Sequence, residues 1–203
     1  MDVDVRPVFY FDLVSPEAYL VAERMISLLP CAEWMPVAAS RLPGPDLHDG
    51  FLCQTDREAF LDRVERAAAR RGLQPLRWPE PFPCDTDFAM RAATYARKIG
   101  RAVAFSLAAF RQAFAAGRDL ETPDSVLIAA AACEMHPRAV LKGASLASTA
   151  AELRQATELA ARRGVTSVPA VWLPCGDGSD GARRGRVFLG DDAVDGVARA
   201  LTG

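Results

Sequence analysis

The segment VFYFDLVSP, residues 8 to 16, predicts a buried strand that passes directly into a helix. Its first half is a short apolar run of the kind found in buried strands. Ser15 is a favoured N-cap residue, and Pro16 is favoured at the first helical position. The helix is expected to stop at Pro30, and the apolar residues around Trp34 predict a second strand. This order of strand, helix and strand indicates a parallel βαβ unit.

The end of the chain predicts a hairpin followed by a helix. After Gly164 the apolar residues alternate again, which predicts one strand over Val168–Leu173 and another over Arg186–Leu189. The residues between them, Pro174–Gly185, are rich in Gly, Asp and Arg and predict a long loop. The turn Gly190-Asp191-Asp192 is expected to cap a last helix.

The middle of the chain, residues 51–149, predicts one helix after another. Thr122-Pro123 and His136-Pro137 are both expected to start a helix, and Thr149–Glu152 matches a capping box. The two ends of the chain would then supply one small sheet, with the helices inserted between them. The sequence therefore predicts an α/β fold.

Composition and charge exclude several classes of function. The 203 residues carry 24 Lys and Arg against 26 Asp and Glu, a net charge of −2, whereas nucleic-acid-binding proteins usually have a basic excess. The aliphatic stretches are far shorter than the ~20 residues that cross a bilayer. The acidic start, Met1–Arg6, does not resemble a secretory signal. We expect a cytoplasmic protein without a nucleic-acid or membrane partner.

The cysteines and histidines predict neither redox nor metal chemistry. The five cysteines lie far apart and form no CxxC pair, which predicts buried or half-buried free thiols and no metal site. His48 and His136 have no partnered nucleophile in view and are expected to be solvated or to cap a helix. Nucleotide-binding, zinc-protease and serine-hydrolase motifs are absent from the sequence.

Ser15 is the first candidate for chemistry. It is placed where the first strand ends and the first helix begins, the edge at which open α/β sheets bind ligands. A helix N-terminus stabilises an anion such as a thiolate, and the hydroxyl could donate a hydrogen bond to a bound sulfur. A simpler interpretation, in which Ser15 only caps the helix, stays open.

Two points near the end of the chain could also contact a ligand. Pro169 lies inside an apolar run, which is unusual unless it begins the strand or follows a cis peptide bond. A cis bond would turn the backbone of Val168 outward, where an extended peptide could pair with it. Asp191 and Asp192 could accept an ammonium group of a ligand, or could serve only as charges at a helix N-terminus.

Several segments, taken in order and spacing, resemble one family over nearly the whole chain. They are Phe9–Pro16, Tyr19-Leu20, Leu76–Pro79, Thr86–Ala93, Phe110–Leu120, Gly164–Pro169 and Leu189–Asp192. Together they resemble the group formed by 2-hydroxychromene-2-carboxylate isomerases and kappa-class glutathione transferases, within the DsbA-like thioredoxin superfamily. The resemblance implies a thioredoxin-like fold, βαβ…ββα, with a large all-helical insertion. Residues 1–50 and 150–203 would form the thioredoxin-like domain, and residues 51–149 the helical insertion.

The resemblance also implies a cofactor and a reaction. Glutathione, or another low-molecular-weight thiol, would bind with its sulfur hydrogen-bonded by Ser15 and its backbone paired with Val168 beside Pro169. Asp192, together with Asp191, would hold the γ-glutamyl end. The thiolate would add reversibly to an unsaturated aromatic substrate such as 2-hydroxychromene-2-carboxylate, as in an isomerase or a transferase. Members of the group often form homodimers, so a homodimer is a further expectation.

The chain departs from the family pattern in three places, one of them a predicted loop, Pro174–Gly185, that is longer than in the family. Family isomerases have a longer loop with a Gly-Asn-Pro-Pro-like stretch after the second strand, whereas Pro36–Asp49 is shorter and contains no Asn. The position after the glycine-acid turn, often basic in the family, is Ala193 here. A dithiol–disulfide oxidoreductase is rejected because Ser15–Ala18 contains no cysteine. The alternative that stays open is a non-catalytic thioredoxin-like binding protein.

Overall fold

The computed structural model describes residues 6–45, 47–48, 51, 53–177 and 183–202. Within these residues the chain forms four strands and eight α-helices, in the order predicted from the two ends of the sequence. The elements are β1 (Val8–Phe11), α1 (Pro16–Leu28), β2 (Glu33–Pro36), α2 (Gln54–Arg70), α3 (Asp87–Lys98), α4 (Ala102–Phe114), α5 (Pro123–Ala131), α6 (Pro137–Ser145), α7 (Ala147–Arg162), β3 (Ala170–Asp177), β4 (Arg183–Leu189) and α8 (Ala193–Thr202).

The strands form one sheet in the order β2-β1-β3-β4. β1 pairs in parallel with β2, so α1 is the crossover helix of the predicted βαβ unit. β3 pairs antiparallel with both β1 and β4. The βαβ…ββα arrangement of a thioredoxin-like fold is therefore confirmed.

Both faces of the sheet are covered, because successive side chains of β1 point to opposite sides. Phe9 and Phe11 pack against α1 and the inserted helices, with Phe11 and Phe110 ring centroids 5.7 Å apart. Tyr10 lies on the other face, in a smaller cluster with Trp172 and residues of α7. One continuous core therefore joins β1 to the inserted helices, and the division at residues 50 and 150 stays a prediction.

Three sequence expectations about the helices and the hairpin were wrong. α7 begins at Ala147, and Thr149 does not cap it: its hydroxyl donates to the Gly143 carbonyl of α6 at 2.7 Å. Pro174 and Gly185 are not loop residues, because they pair with each other in the β3–β4 ladder. The centre of the predicted loop, residues 178–182, lies outside the described residues. The strand predicted from Val168 begins at Ala170 instead.

Two expectations about side chains also need correction. Cys31, Cys53 and Cys175 are exposed, whereas Cys84 and Cys133 are half-buried and buried as expected; all five are free thiols in the structure. His48 is half-buried rather than fully solvated, because its ring packs edge-on against Phe51 and Phe82.

Among the described residues, no helix combines the length and apolar character needed to cross a bilayer.

Candidate functional site

The N-terminus of α1 is built as the sequence predicts. Ser15 is the N-cap residue, and its hydroxyl oxygen accepts a hydrogen bond from the Ala18 N–H at 3.1 Å. The Ser15 N–H in turn donates to the Asp12 carbonyl at 3.1 Å, which fixes the turn that leaves β1. Ser15 is only 1% exposed. Ser15 therefore caps α1. To interact with a ligand sulfur as well, its hydroxyl group would have to donate its hydrogen to that sulfur.

Asp12, the last residue before this turn, is a buried acid that the sequence analysis did not single out. Its carboxylate accepts hydrogen bonds from the backbone N–H groups of Val14 at 3.1 Å and Ala39 at 2.9 Å, and from the Thr86 hydroxyl at 3.2 Å. Burial raises the pKa of the carboxyl group, and these hydrogen bonds oppose that change. Asp12 thus ties the ends of β1 and β2 to the start of α3. The sequence did contain a sign of this role: Asp12 directly follows the apolar strand and precedes the helix cap Ser15.

The Val168–Pro169 peptide bond is cis, so the cis alternative left open by the sequence is the correct one. The β1–β3 register pairs Tyr10 with Ala170, and Pro169 therefore lies beside the end of β1. Within the described residues, neither the N–H nor the carbonyl of Val168 has a hydrogen-bond partner. These two groups can pair with an extended ligand, although the Val168 side chain itself is buried in the smaller core cluster.

The acidic turn before α8 is held against the cis-proline segment. The Gly190 N–H donates to the Pro169 carbonyl oxygen at 2.9 Å. Gly190 has a φ of +82°, a left-handed conformation that glycine adopts without a steric cost. The structure therefore brings Pro169, which precedes β3, close to Asp191 and Asp192, which follow β4.

A groove with both signs of charge lies between α1, α2 and the start of α8. We call it the charged groove; its volume is about 620 Å³, within the range of small-molecule sites. Its charged lining residues are Glu17, Arg24, Arg63, Arg70, Arg71, Asp191, Asp192 and Asp195. Ser15 does not line this groove, but it lies two positions before Glu17 at the same end of α1.

Arg71 contacts both acids of the turn before α8. Its guanidinium donates to the Asp191 carboxylate at 2.9 Å and to the Asp191 carbonyl at 3.2 Å, and it lies 3.4 Å from a carboxylate oxygen of Asp192. The Asp192 side chain is 81% exposed, so it can still accept an ammonium group. No local pattern marks Arg71 as functional, because its partners are about 120 positions away.

Two further ion pairs order the walls of the groove. Arg24 of α1 donates to the carboxylate of Asp195 in α8 through both terminal guanidinium nitrogens, at 2.6 and 2.8 Å. That contact lowers the pKa of the Asp195 carboxyl group. Glu17 lies 3.0 Å from Arg63; burial raises the pKa of Glu17, Arg63 lowers it, and the negative charge of Asp191 raises it further. Asp191 therefore acts electrostatically on the residue next to the α1 N-terminus.

Comparison with known proteins identifies the fold independently of this geometry. A family model for the DSBA-like thioredoxin domain matches residues 8–202. No curated protein matches the chain. The three solved structures described next are 15–20% identical to this chain, so their likeness concerns the fold.

Three of these structures show the range of the likeness. A 2-hydroxychromene-2-carboxylate isomerase superposes with a TM-score of 0.80 at 17% identity, covering 97% of this chain and 94% of its own. A probable DsbA oxidoreductase from Streptomyces coelicolor gives 0.72 at 20% identity, covering 98% and 88%. A cytosolic disulfide reductase, DsbM, from Pseudomonas aeruginosa gives 0.65 at 15% identity, covering 98% and 99%.

Proposed function

The chain belongs to the DsbA-like thioredoxin domain family, and from that premise we propose that it is a thiol-dependent isomerase or transferase acting on unsaturated aromatic compounds. The cofactor would be glutathione or another low-molecular-weight thiol. The observation that carries the proposal is the contact between Gly190 and Pro169, which joins the peptide-pairing segment to the charged groove beside the N-terminus of α1.

The residues present fit a small thiol peptide with mixed charges. Glutathione carries one ammonium group and two carboxylates, and the charged groove offers side chains of both signs. The exposed carboxylate of Asp192 would accept the ammonium group, while Arg71 would face a carboxylate. The N–H and carbonyl of Val168, which have no partner among the described residues, would pair with the peptide backbone beside Pro169.

The first turn of α1 would act on the sulfur. A free thiol has a pKa of about 8.5, so a site that favours the thiolate makes more nucleophile at neutral pH. The helix N-terminus supplies partial positive charge, and the Ser15 hydroxyl can donate one hydrogen bond while its oxygen accepts from Ala18. When bound, the thiol would supply reversible addition to an electron-poor double bond, which permits rotation before the thiol leaves.

A dithiol–disulfide exchange reaction is not proposed. The four residues at the start of α1, Ser15-Pro16-Glu17-Ala18, contain no cysteine, and disulfide exchange requires an attacking thiolate. The likeness to the two redox proteins therefore supports a shared fold only.

The burial of Ser15 favours a second candidate function. Because Ser15 is 1% exposed and its oxygen already caps α1, the site could bind a thiol peptide without activating it. The protein would then be a thioredoxin-like binding protein without turnover.

One assay separates the two functions. Isomerisation of 2-hydroxychromene-2-carboxylate is followed with no thiol, with reduced glutathione and with other small thiols, for the wild type and Ser15→Ala. The control is Thr122→Ala, which removes the equivalent N-cap hydroxyl from α5. The proposal predicts thiol-dependent turnover that Ser15→Ala abolishes and Thr122→Ala preserves. If a parallel calorimetric titration shows thiol binding but the wild type does not turn this substrate over, the result contradicts an isomerase of 2-hydroxychromene-2-carboxylate and supports the binding protein.

A further inference from the structure

A second groove lies on the inserted helices, away from the charged groove. It runs between α4, α5 and the segment Gln74–Arg77, has a volume of about 710 Å³, and shares no lining residue with the charged groove. We call it the arginine-rimmed groove. Its volume suits a small organic molecule.

The floor of this groove is apolar. It is formed mainly by small and aliphatic side chains of two helices, namely Leu107, Ala108, Ala115, Ile128, Ala129 and Ala132. Ile128 is 49% exposed there. A ligand body that covers this floor must therefore be apolar, because covering it removes hydrocarbon surface from water.

The groove is also lined by three arginines, namely Arg77, Arg111 and Arg118. Arg111 is neutralised by Glu23, which accepts two hydrogen bonds from it at 2.7 and 2.8 Å. Arg77 and Arg118 are exposed, and neither forms an ion pair within the described part of the chain. The two unneutralised guanidinium groups make the groove attractive to an anion.

Asp119, the acid next to Arg118 in the sequence, forms hydrogen bonds with other residues. The Asp119 carboxylate accepts hydrogen bonds from the Glu121 N–H at 3.0 Å and from the Ser125 hydroxyl at 3.4 Å. It thus serves the turn that starts α5. The positive charge of Arg118 remains available to a ligand.

Gln112 gives an independent sign that the groove is built for a ligand. Its side-chain N–H groups donate to the carbonyl oxygens of Asp119 at 3.2 Å and Ser125 at 2.8 Å. Since a carbonyl can only accept, these partners fix the orientation of the amide. The side-chain oxygen is left buried without a hydrogen-bond partner among the described residues, on a residue that lines the groove and is 7% exposed. A buried acceptor without a donor is destabilising.

We propose that the arginine-rimmed groove binds an organic carboxylate with an apolar body. The body would lie on the floor of α4 and α5, and the carboxylate would pair with Arg77 and Arg118. The oxygen of Gln112, which has no partner among the described residues, would receive a hydrogen bond from a water that the ligand encloses. This site is separate from the proposed thiol site and does not depend on it.

The test uses sodium decanoate as the probe, titrated by calorimetry into the full-length protein. The wild type is expected to bind decanoate saturably and to bind the uncharged decanol at least tenfold more weakly. Ile128→Glu should abolish decanoate binding, and the double variant R77A/R118A should weaken it at least tenfold. All substituted positions are exposed, so the variants should keep the circular dichroism spectrum and the unfolding midpoint of the wild type.

Matched controls separate the groove from general effects. Leu146→Glu places the same charge at another aliphatic position of similar exposure, 43%, and Arg138→Ala removes an exposed arginine from α6. Asp192→Ala changes the charged groove. All three should leave decanoate affinity unchanged. The proposal is overturned if the wild type does not bind decanoate at millimolar concentration, or if Asp192→Ala reduces the affinity while Ile128→Glu does not.

Discussion

The N–H of Gly190 donates a hydrogen bond to the carbonyl oxygen of Pro169 at 2.9 Å. This backbone contact extends the β3–β4 ladder beyond the Ala170–Leu189 pair. The segment that follows the cis Val168–Pro169 bond thereby helps to hold the turn that carries Asp191 and Asp192. The acids therefore face Arg71 and the start of α1 from a fixed position. The candidate site depends on this contact between two segments that form different elements of the fold.

Arg71 should contribute to the stability of the fold. Arg71→Ala removes hydrogen bonds to the carboxylate and the carbonyl of Asp191. We expect the free energy of unfolding in urea to fall by about 1.5–3 kcal/mol, since hydrogen bonds to charged groups contribute about that much. Arg70→Ala, an exposed neighbour on the same groove, should change stability by less than about 0.5 kcal/mol. Equal losses in the two variants would contradict the role of Arg71.

The titration of Asp12 should lower the free energy of unfolding as the pH rises. Burial raises the folded-state pKa of its carboxyl group above the ordinary value of 3.8, so the folded state binds the proton more tightly than the unfolded state does. The contribution of Asp12 to stability is then fully present below about pH 4 and is lost as the pH rises through the raised pKa. In Asp12→Asn this dependence is absent.

The measurement for Asp12 is urea unfolding of the wild type and Asp12→Asn from pH 4 to pH 8. The variant should be less stable throughout, because its side-chain NH2 group cannot accept from the N–H groups of Val14 and Ala39 together. Its deficit relative to the wild type should be greatest at low pH and should shrink as the pH rises. A deficit that grows with pH would show that the carboxylate, and not its acid form, is favoured by the fold.

Asp195 should behave in the opposite way. Its contact with Arg24 lowers the pKa of the carboxyl group below 3.8, so the stabilisation is present above about pH 4 and is lost as the pH falls through the lowered pKa. Asp195→Asn should cost about 0.5–1 kcal/mol at pH 7, as is usual for a partly exposed ion pair. The cost should vanish near pH 2. The control is Asp124→Asn, at an exposed site on α5. If Asp195→Asn costs the same free energy of unfolding at pH 7 and at pH 2, the ion-pair explanation is refuted.

Those parts of the fold that depend on local chemistry could be predicted from the sequence. Ser15-Pro16 and Thr122-Pro123 start helices because a hydroxyl caps the free N–H groups and proline suits the first turn, and both starts are confirmed. Thr149 has the same capping pattern, but its hydroxyl bonds to Gly143 of the preceding helix. A short motif cannot show whether a hydroxyl accepts from the N–H groups of its own helix or donates to a carbonyl that the fold brings close.

The parts of the site that depend on distant partners could not be predicted. Arg71 is one of several arginines near the end of α2, and only the fold brings it to Asp191. The same applies to Asp12, whose carboxylate accepts hydrogen bonds from Ala39, which follows β2, and from Thr86, the N-cap residue of α3. Asp191 and Asp192 could be named in advance because they start a helix, but their pairing with an arginine was not visible in the sequence.

The most direct test of the account is calorimetric titration of reduced glutathione into the wild type, Ser15→Ala and Thr122→Ala. Each substitution removes a helix N-cap and should cost about 1 kcal/mol of stability, so the pair separates loss of a cap from loss of a ligand contact. We predict saturable binding to the wild type, weaker binding to Ser15→Ala and unchanged binding to Thr122→Ala. No binding at millimolar glutathione, or equal affinity in all three proteins, would contradict a glutathione site at the start of α1.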